Sequence, residues 1–349
     1  MAFRGRAHAA QGVGALLGVQ YVVSGTLQTE GSRALLLAEL ADARDGRILW
    51  SERMEGRLLD IFGVQAEFAQ RVVSRVAPFV RSVELHRARI TRLEQLDAFG
   101  LLMRGIELMH KATREDFARA QQALRACIEK DPTSALPYAW LAKWHVLRIV
   151  TGVSADAGAD ARSAWELAGR ALEQDSGDAI ALAVNALVAA WSRQDLDTAE
   201  SRLAQALSAN PSEPLAWLWN GITHAWRGRG DEAVRCADLA LSLSPLDPMI
   251  YYFQSLAGTA HLVAENYDRA IELAERSLRE NRLHTPSLRC LAVAQVLSGR
   301  LPEAQRSVAR LRELEPRLTA TAFRDRYPGR ESPHAERFAE ALKTAGLPA

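Results

Sequence analysis

The chain has 349 residues, of which 48% are hydrophobic and 24% are charged, a composition typical of a folded globular protein rather than a disordered or membrane-embedded one. Its formal net charge is +1, so no strong overall field attracts nucleic acid or a membrane surface, and we expect neither as a partner of this chain. The three cysteines, Cys127, Cys236 and Cys290, stand far apart. This sparse spacing predicts buried thiols in a reducing compartment, and the expected location is the cytoplasm.

The first part of the chain carries strand and turn signals. A β-rich run at 21–27 is followed by polar turn residues at 29–32, and a second apolar run spans 34–43. Asp45-Gly46 separates this run from a third at 47–50, and Asp-Gly between two apolar runs is a strong hairpin signal. The pattern predicts a three-stranded β-meander.

After the predicted strands, the hydrophobic period changes from two residues to about 3.6. An apolar helix face is formed by Ile61, Val64, Phe68, Val72, Val76 and Val80. We expect this helix to pack across the meander. The charged stretch at 83–96 is predicted to be a helical linker, and no strand signal follows it.

A helical repeat occupies the rest of the chain. Each unit ends in a short polar break, and the breaks end at Pro132, Ser176, Pro211, Pro245, Arg282 and Pro316. Successive breaks are 44, 35, 34, 37 and 34 residues apart, close to the ~34-residue period of tetratricopeptide repeats. Four of the six carry proline, which cannot continue a helix. The period predicts about six helix pairs in a solenoid, with extra residues near 151–160.

Small residues recur at two positions within each unit. Twelve residues before the end of each break stand Ala120, Ala164, Ala199, Ala233, Ala270 and Ala304. Five residues before it stand Cys127, Ala171, Ala206, Ala240, Ser277 and Leu311. Because small side chains let two helices approach closely, we expect the helices to meet at these positions.

The period is lost after Pro316. An amphipathic helix is predicted at 333–345, with Phe338 and Leu342 on one face, and we expect it to cover the apolar face of the last repeat. The predicted fold class is mainly α: a tetratricopeptide-type solenoid at 97–320, preceded by a small α+β module at 1–82 and a linker at 83–96. A capping segment at 321–349 completes the predicted domain order.

Five phrases resemble the carboxyl-terminal half of bacterial multidomain signalling proteins, in which a TolB-like module precedes tetratricopeptide repeats. They are GVQYVVSG at 18–25, AELADARDG at 38–46, LWSER at 49–53, DIF at 60–62 and TRED at 113–116. The resemblance extends over nearly the whole chain. It implies that residues 1–82 are a TolB-like module that lacks its first strands.

The resemblance also implies an effector domain upstream. In such families the effector is a class III nucleotide cyclase domain or a winged-helix DNA-binding domain, and this sequence shows neither pattern. It therefore implies a fragment of a longer protein, or a chain whose effector is separate. The family's repeats have no catalytic residues, so we expect no enzyme activity and no cofactor here.

Two patterns imitate ligand sites. Gly12, Gly14 and Gly18 resemble a phosphate-binding loop, but they precede a predicted strand, whereas a dinucleotide-binding loop follows one. The eight histidines form no metal-binding pattern, so no metal site is predicted. We expect His145 and His224 to pack in the core or to line a groove.

The first helix of each pair lines the concave face of such solenoids. Counted from the breaks, Lys143, Tyr252 and Arg289 are predicted to face this groove. Lys143 and Arg289 would pair with a carboxylate of a bound peptide, and Tyr252 would supply flat apolar area. Seven tryptophans lie in or beside the repeats, and we expect most of them to fill large core positions.

Three functions compete at this stage. The first is a non-catalytic module that binds a protein or peptide partner in a bacterial signalling system, with self-association left open. The second is the regulatory part of an adenylate or guanylate cyclase, and the third is the sensory part of a winged-helix transcriptional regulator. The sequence favours the first.

Overall fold

The computed structural model of the chain describes residues 10–30, 33–57, 96–109, 114–150, 153–245, 247, 249–329 and 332–349, and the single positions 72, 76, 80 and 83. It divides into two compact units, Met1–Thr91 and Arg92–Ala349. The predicted linker at 83–96 stays a prediction, because residues 84–95 lie outside the described part of the chain.

The first unit contains the predicted β-meander. A short helix, α1 (Ala10–Leu17), precedes the strands β1 (Tyr21–Glu30), β2 (Arg33–Asp42) and β3 (Ile48–Arg57), which pair antiparallel in the order β1-β2-β3. Gly46 turns the chain into β3 with a φ of +75°, a conformation that glycine adopts without strain, as the Asp-Gly signal predicted.

The strands are longer than the hydrophobic runs indicated. β1 continues through residues 29 and 30, which were expected in a turn, and β3 continues to Arg57. Backbone pairing explains both extensions, since Thr29 and Glu30 pair with Ala34 and Arg33 of β2 whatever side chains they carry. Residues 31 and 32 lie outside the described part.

One described helical residue lies against the sheet. Val72, Val76 and Val80 are helical, and Val72 packs against Ala38 and Met54 of the sheet, as the periodicity predicted. The predicted helix residues Ile61, Val64 and Phe68 lie outside the described part.

The regular secondary structure described in the second unit consists of helices joined by short turns. Twelve of these helices form six consecutive pairs, here called repeats 1 to 6. The first helices are α2 (Ala98–Met109), α4 (Ala135–Val150), α6 (Ala179–Arg193), α8 (Pro214–Trp226), α10 (Ile250–Val263) and α12 (Thr285–Leu297). The second helices are α3 (Arg114–Lys130), α5 (Ala157–Gln174), α7 (Leu196–Ala209), α9 (Gly230–Leu243), α11 (Tyr267–Glu280) and α13 (Leu301–Leu314).

First helices form a continuous row. Each of them contacts its own second helix and the first helix of the next repeat. Within the described residues, second helices of neighbouring repeats make few or no contacts with each other. The described contacts between like helices of neighbouring repeats are therefore concentrated on the first helices, which form one row through repeats 1 to 6.

The small-residue positions are where the helices meet. All twelve positions named from the repeat are buried, and none is more than 2% exposed. At Gly221 of α8, an added Cβ would lie 3.0 Å from the carbonyl oxygen of Ala233 in α9, so this contact leaves no room for a side chain. The sequence prediction of close helix contact is confirmed.

A side-chain hydrogen bond closes the breaks between repeats. Asp131, Asp175, Asn210 and Asn281 each accept, through Oδ1, the backbone N–H two residues later at 2.9 to 3.2 Å. Two of these breaks, at Asp175 and Asn281, lack proline. The Asx turn therefore ends the second helix where proline does not.

Two helices follow the last repeat, α14 (Ala320–Arg326) and α15 (Pro333–Thr344). Helix α15 lies where the amphipathic pattern predicted it, and its Phe338 and Leu342 are buried. It packs against α12, the first helix of repeat 6, and against α14. Further contacts of this C-terminal segment reach back to repeats 4 and 5.

Two further sequence features can be compared with the structure. Cys127, Cys236 and Cys290 are buried and free, as predicted, and burial raises the pKa of the Cys290 thiol to about 12. Among the described helices, none combines the length and apolarity needed to cross a bilayer.

The close contacts can be tested with two alanines of α7. Ala206 is fully buried, whereas Ala204 in the same helix is exposed. We expect Ala206→Leu to lower the free energy of unfolding by about 1–3 kcal/mol, because the added carbons have no space. Ala204→Leu should change it by less than about 0.5 kcal/mol. Urea denaturation followed by circular dichroism measures both, and equal effects would contradict the close packing at Ala206.

Candidate functional site: the row of first helices

The row of first helices carries buried polar side chains. They are Glu107, Lys143, His145, Asn185, Thr223, Gln254, Ser255, His261, Ser287 and Gln295. Among the described residues, the side-chain oxygens Oδ1 of Asn185, Oε1 of Gln254 and Oγ of Ser255 have no hydrogen-bond partner. A buried polar atom without a partner costs about 1–3 kcal/mol, and because these three atoms have almost no accessible surface, a donor from outside reaches them only if neighbouring side chains move.

Lys143 lies in α4 of repeat 2, and its side chain is buried. Its ammonium nitrogen is 4.2 Å from the ring centroid of Trp140, one turn earlier in the helix. This distance allows a cation–π interaction, which the low exposure strengthens. The cation is therefore held against the helix row rather than extended into solvent.

Tyr252 lies in α10 of repeat 5, and its hydroxyl has an intramolecular role. The hydroxyl oxygen accepts a hydrogen bond from Nε1 of Trp219 in α8 at 3.0 Å. Burial raises the pKa of Tyr252 above its ordinary value, so the phenol is neutral. The hydrogen bond ties the first helices of repeats 4 and 5 together.

Arg289 lies in α12 of repeat 6 and forms an ion pair with the break that follows α13. Its Nη1 donates to both carboxylate oxygens of Glu315, at 2.9 and 3.0 Å, and its side chain is about a quarter exposed. A carboxylate of a bound peptide would have to displace Glu315 to reach this guanidinium.

Two of the three predicted residues act on one histidine, His284. Its ring centroid is 6.5 Å from that of Tyr252, and the positive charge of Arg289 contributes to lowering its pKa. Lys143 belongs to repeat 2, and the first helices α6 and α8 separate it from Tyr252. The groove role of all three residues stays a prediction.

His284 was not singled out by the sequence analysis. Its Nδ1 is 2.9 Å from Oγ of Ser287, which lies 2.7 Å from Oγ of Ser277, and Ser277 donates to the carbonyl of Tyr251. Among the described residues, Nε2 of His284 has no partner. Burial, with the charge of Arg289, lowers the pKa of His284 to about 4.

A sequence signal for His284 existed in the repeat register. His284 stands two residues after the end of its break, where Asp178 and Glu213 stand in repeats 3 and 4. Those two carboxylates cap their helices by accepting backbone N–H groups. A histidine at a position where two other repeats have an acidic helix cap departs from the pattern, and this departure could have identified His284 in the sequence.

His145, which was expected to pack in the core or to line a groove, is buried. Its Nδ1 is 2.6 Å from Oδ1 of Asp160, whose other carboxylate oxygen accepts from Ser154 at 2.5 Å. The carboxylate therefore lies between the hydroxyl and the imidazole. Nucleophilic catalysis requires the imidazole in the middle, so this cluster instead ties residues of the 151–160 insertion to α4.

The remaining sequence candidates divide between core and surface. Trp140, Trp144 and Trp219 are buried, as the core interpretation predicted, whereas Trp191 at the end of α6 is 38% exposed. Burial lowers the pKa of His224, and its Nδ1 has no partner among the described residues. Among the described residues, no group of histidine, cysteine and acidic side chains is arranged to hold a metal ion.

Comparison with known proteins identifies one distant curated relative. No protein-family model matches the chain. The chain is 26% identical over 199 residues to the Rhizobium meliloti (strain 1021) protein named "Putative adenylate cyclase 3", and the match covers 57% of this chain and 34% of that protein. The match thus spans about a third of the relative's length.

Solved structures support the fold. The Cut9–Hcn1 hetero-tetramer of the APC/C is similar over 80% of this chain and 45% of that chain, with a TM-score of 0.52 and 12% identity. A tetratricopeptide repeat protein of Thermus thermophilus has a TM-score of 0.43 and 18% identity over 57% of this chain and 99% of that one. Six stacked helix pairs at this period, with the first of these likenesses, make the fold a tetratricopeptide-type helical solenoid.

The buried imidazole of His284 predicts a pH dependence of stability. In the unfolded chain its pKa is about 6.5, so unfolding takes up a proton between pH 6.5 and about 4. The free energy of unfolding should therefore fall as pH decreases through this window and level off below it. In His284→Gln the fall between pH 7 and 4.5 should be smaller by about 2 kcal/mol. Urea denaturation at both pH values tests this, and parallel pH curves for the two proteins would contradict it.

Proposed function

We propose that this chain is a non-catalytic interaction module that binds a protein or peptide partner along its row of first helices. The observation that carries the proposal is the continuous row of first helices through six stacked repeats, on which the guanidinium side chain of Arg289 is about a quarter exposed. An extended or helical peptide can lie along such a row. The tetratricopeptide-type fold supports the same interpretation.

In this proposal, Arg289, Tyr252 and Lys143 contact the partner. Arg289 exchanges Glu315 for a carboxylate of the peptide, and Tyr252 offers its ring. Lys143 adds a positive charge further along the row, beyond the first helices α6 and α8. Arginine suits this role because its planar guanidinium binds a carboxylate through two donors.

The signalling context is also proposed. The TolB-like phrase at 18–25 overlaps the start of β1, and the phrase at 38–46 overlaps the end of β2 and the turn that follows it. A distant relative named as an adenylate cyclase supports a link to nucleotide cyclisation, and the second candidate function is therefore the regulatory part of a cyclase. The winged-helix alternative rests on the sequence resemblance alone.

Affinity purification from the native cell tests the proposal. Wild-type chain, Arg289→Ala and a matched control, Arg276→Ala, are used as baits. Arg276 also pairs with a glutamate, Glu272, but lies on the second helix α11. We expect the amount of a reproducible partner captured by Arg289→Ala to fall at least fivefold, with the control unchanged.

The outcomes separate the functions. Equal capture by all three baits would exclude Arg289 from the contact, and the absence of any captured polypeptide would overturn the interaction module. The eluted fraction is also assayed for conversion of ATP to cyclic AMP. Activity in the wild-type eluate would support the cyclase context, because this chain is not expected to supply it.

A further inference from the structure

The C-terminal residues fold back over three repeats. We name residues 327–349 the C-terminal strap. At its start, Gly329 lies so close to the end of α8 that a Cβ there would overlap the carbonyl oxygen of Trp226. Ser332 and His334 then lie against Gly228 in the turn after α8. The strap follows repeat 6 in the sequence, but its first residues contact repeat 4.

The strap continues along repeats 5 and 6. Arg337 forms an ion pair with Glu265 in the turn after α10, and it donates to the hydroxyl of Tyr267 at 2.7 Å. Helix α15 packs against α12 of repeat 6. The backbone N–H of Ala320 donates to the carbonyl of Pro348 at 2.8 Å, which holds the end of the strap.

The apolar side of α15 is fully used in this contact. Ala335, Phe338, Ala339 and Leu342 are each no more than 5% exposed. Phe338 and Leu342 are four residues apart, so they lie on one helix face beside Arg337. The ring of Phe338 lies against Tyr327 and His334 of the strap itself, while α15 as a whole packs on α12 of repeat 6. The surface of repeat 6 therefore accepts the apolar face of an amphipathic helix, and Glu265 and Tyr267 of repeat 5 accept an arginine of that helix.

The docked strap leaves polar groups poorly satisfied. Among the described residues, the hydroxyl of Tyr327 and Nδ1 of His334 are buried without a hydrogen-bond partner. Release into water would hydrate both groups. The Arg337–Glu265 pair is substantially exposed, so it adds little to hold the strap down. A cap needed only to cover repeat 6 would require none of the contacts with repeats 4 and 5.

We propose that the surface of repeats 4 to 6 beneath the strap is a binding groove for an amphipathic helix of a partner protein, and that the strap is its intramolecular competitor. This rests on the interaction function proposed above and specifies the chemistry of the partner. The partner helix presents the same pattern as α15: an aromatic and an aliphatic residue four positions apart, with a basic residue that reaches Glu265 and Tyr267. A tethered competitor acts at a high effective concentration, so the groove opens to partners that bind more strongly than the strap.

A labelled peptide with the sequence of residues 332–349 serves as the probe, and fluorescence anisotropy measures its binding to full-length protein. Gly329→Ala has no room for its methyl group against Trp226 and should release the strap without changing the groove. Gly169→Ala is the matched control, because a Cβ at Gly169 of α5 meets nothing within 4 Å. We expect Gly329→Ala to bind the probe at least tenfold more tightly than wild type and Gly169→Ala.

A second variant is included because Gly329→Ala could prevent correct folding. Arg337→Glu places a carboxylate opposite Glu265, removes the hydrogen bond to Tyr267 and changes no residue of repeats 4 to 6, so it should strengthen probe binding about two- to fivefold. Circular dichroism checks that both variants keep the helical signal. A probe in which Phe338 and Leu342 are replaced by serine should not bind any of the proteins.

Several results would overturn the proposal. If neither released variant binds the probe more tightly than wild type, the strap is a fixed part of the fold. If the released variants form dimers that the probe dissociates, as measured by light scattering, the occupant is a second copy of the chain. A negative peptide result together with partner capture that depends on Arg289 would overturn this inference and leave the interaction module standing.

Discussion

Close contact between helices at small side chains is the constraint on which the helical unit depends. The six alanines that recur twelve residues before each break have no exposed surface, and Gly221 lies against the backbone of the neighbouring helix. Such contacts leave space for a methyl group or less, so they set both the distance between the helices of a repeat and their alignment. The continuous row of first helices, and the surface it offers, follow from this spacing.

The same tight row removes polar atoms from water. Some find partners inside the protein, as Tyr252 does with Trp219 and Arg289 with Glu315. Others, such as Gln254, keep an unpaired oxygen in the described structure, and His284 keeps an unpaired nitrogen and a depressed pKa. Apolar groups at these positions would avoid the cost of burying unpaired polar atoms, so stability alone does not explain their presence.

Fold and function rest on different observations here. The stacked pairs and the likeness to solved structures establish the solenoid, and many unrelated functions share such a fold. What distinguishes this chain is the set of buried polar side chains along its row of first helices, and the strap that places Arg337 on repeat 5 and helix α15 on repeat 6.

Periodic and local features could be predicted from the sequence. In a repeat, the residues that end the helices and those that allow close helix contact recur at a constant spacing. The buried alanines, the meander with its turn at Gly46 and the helix containing Phe338 were all found in this way. Strand ends were not, since backbone pairing extended β1 past its apolar run. Contacts between distant residues were also missed: Trp219 and Tyr252 are 33 positions apart, and Arg337 and Glu265 are 72. No local pattern encodes which residues meet over such separations, because only the stacking of the repeats and the return path of the chain bring them together.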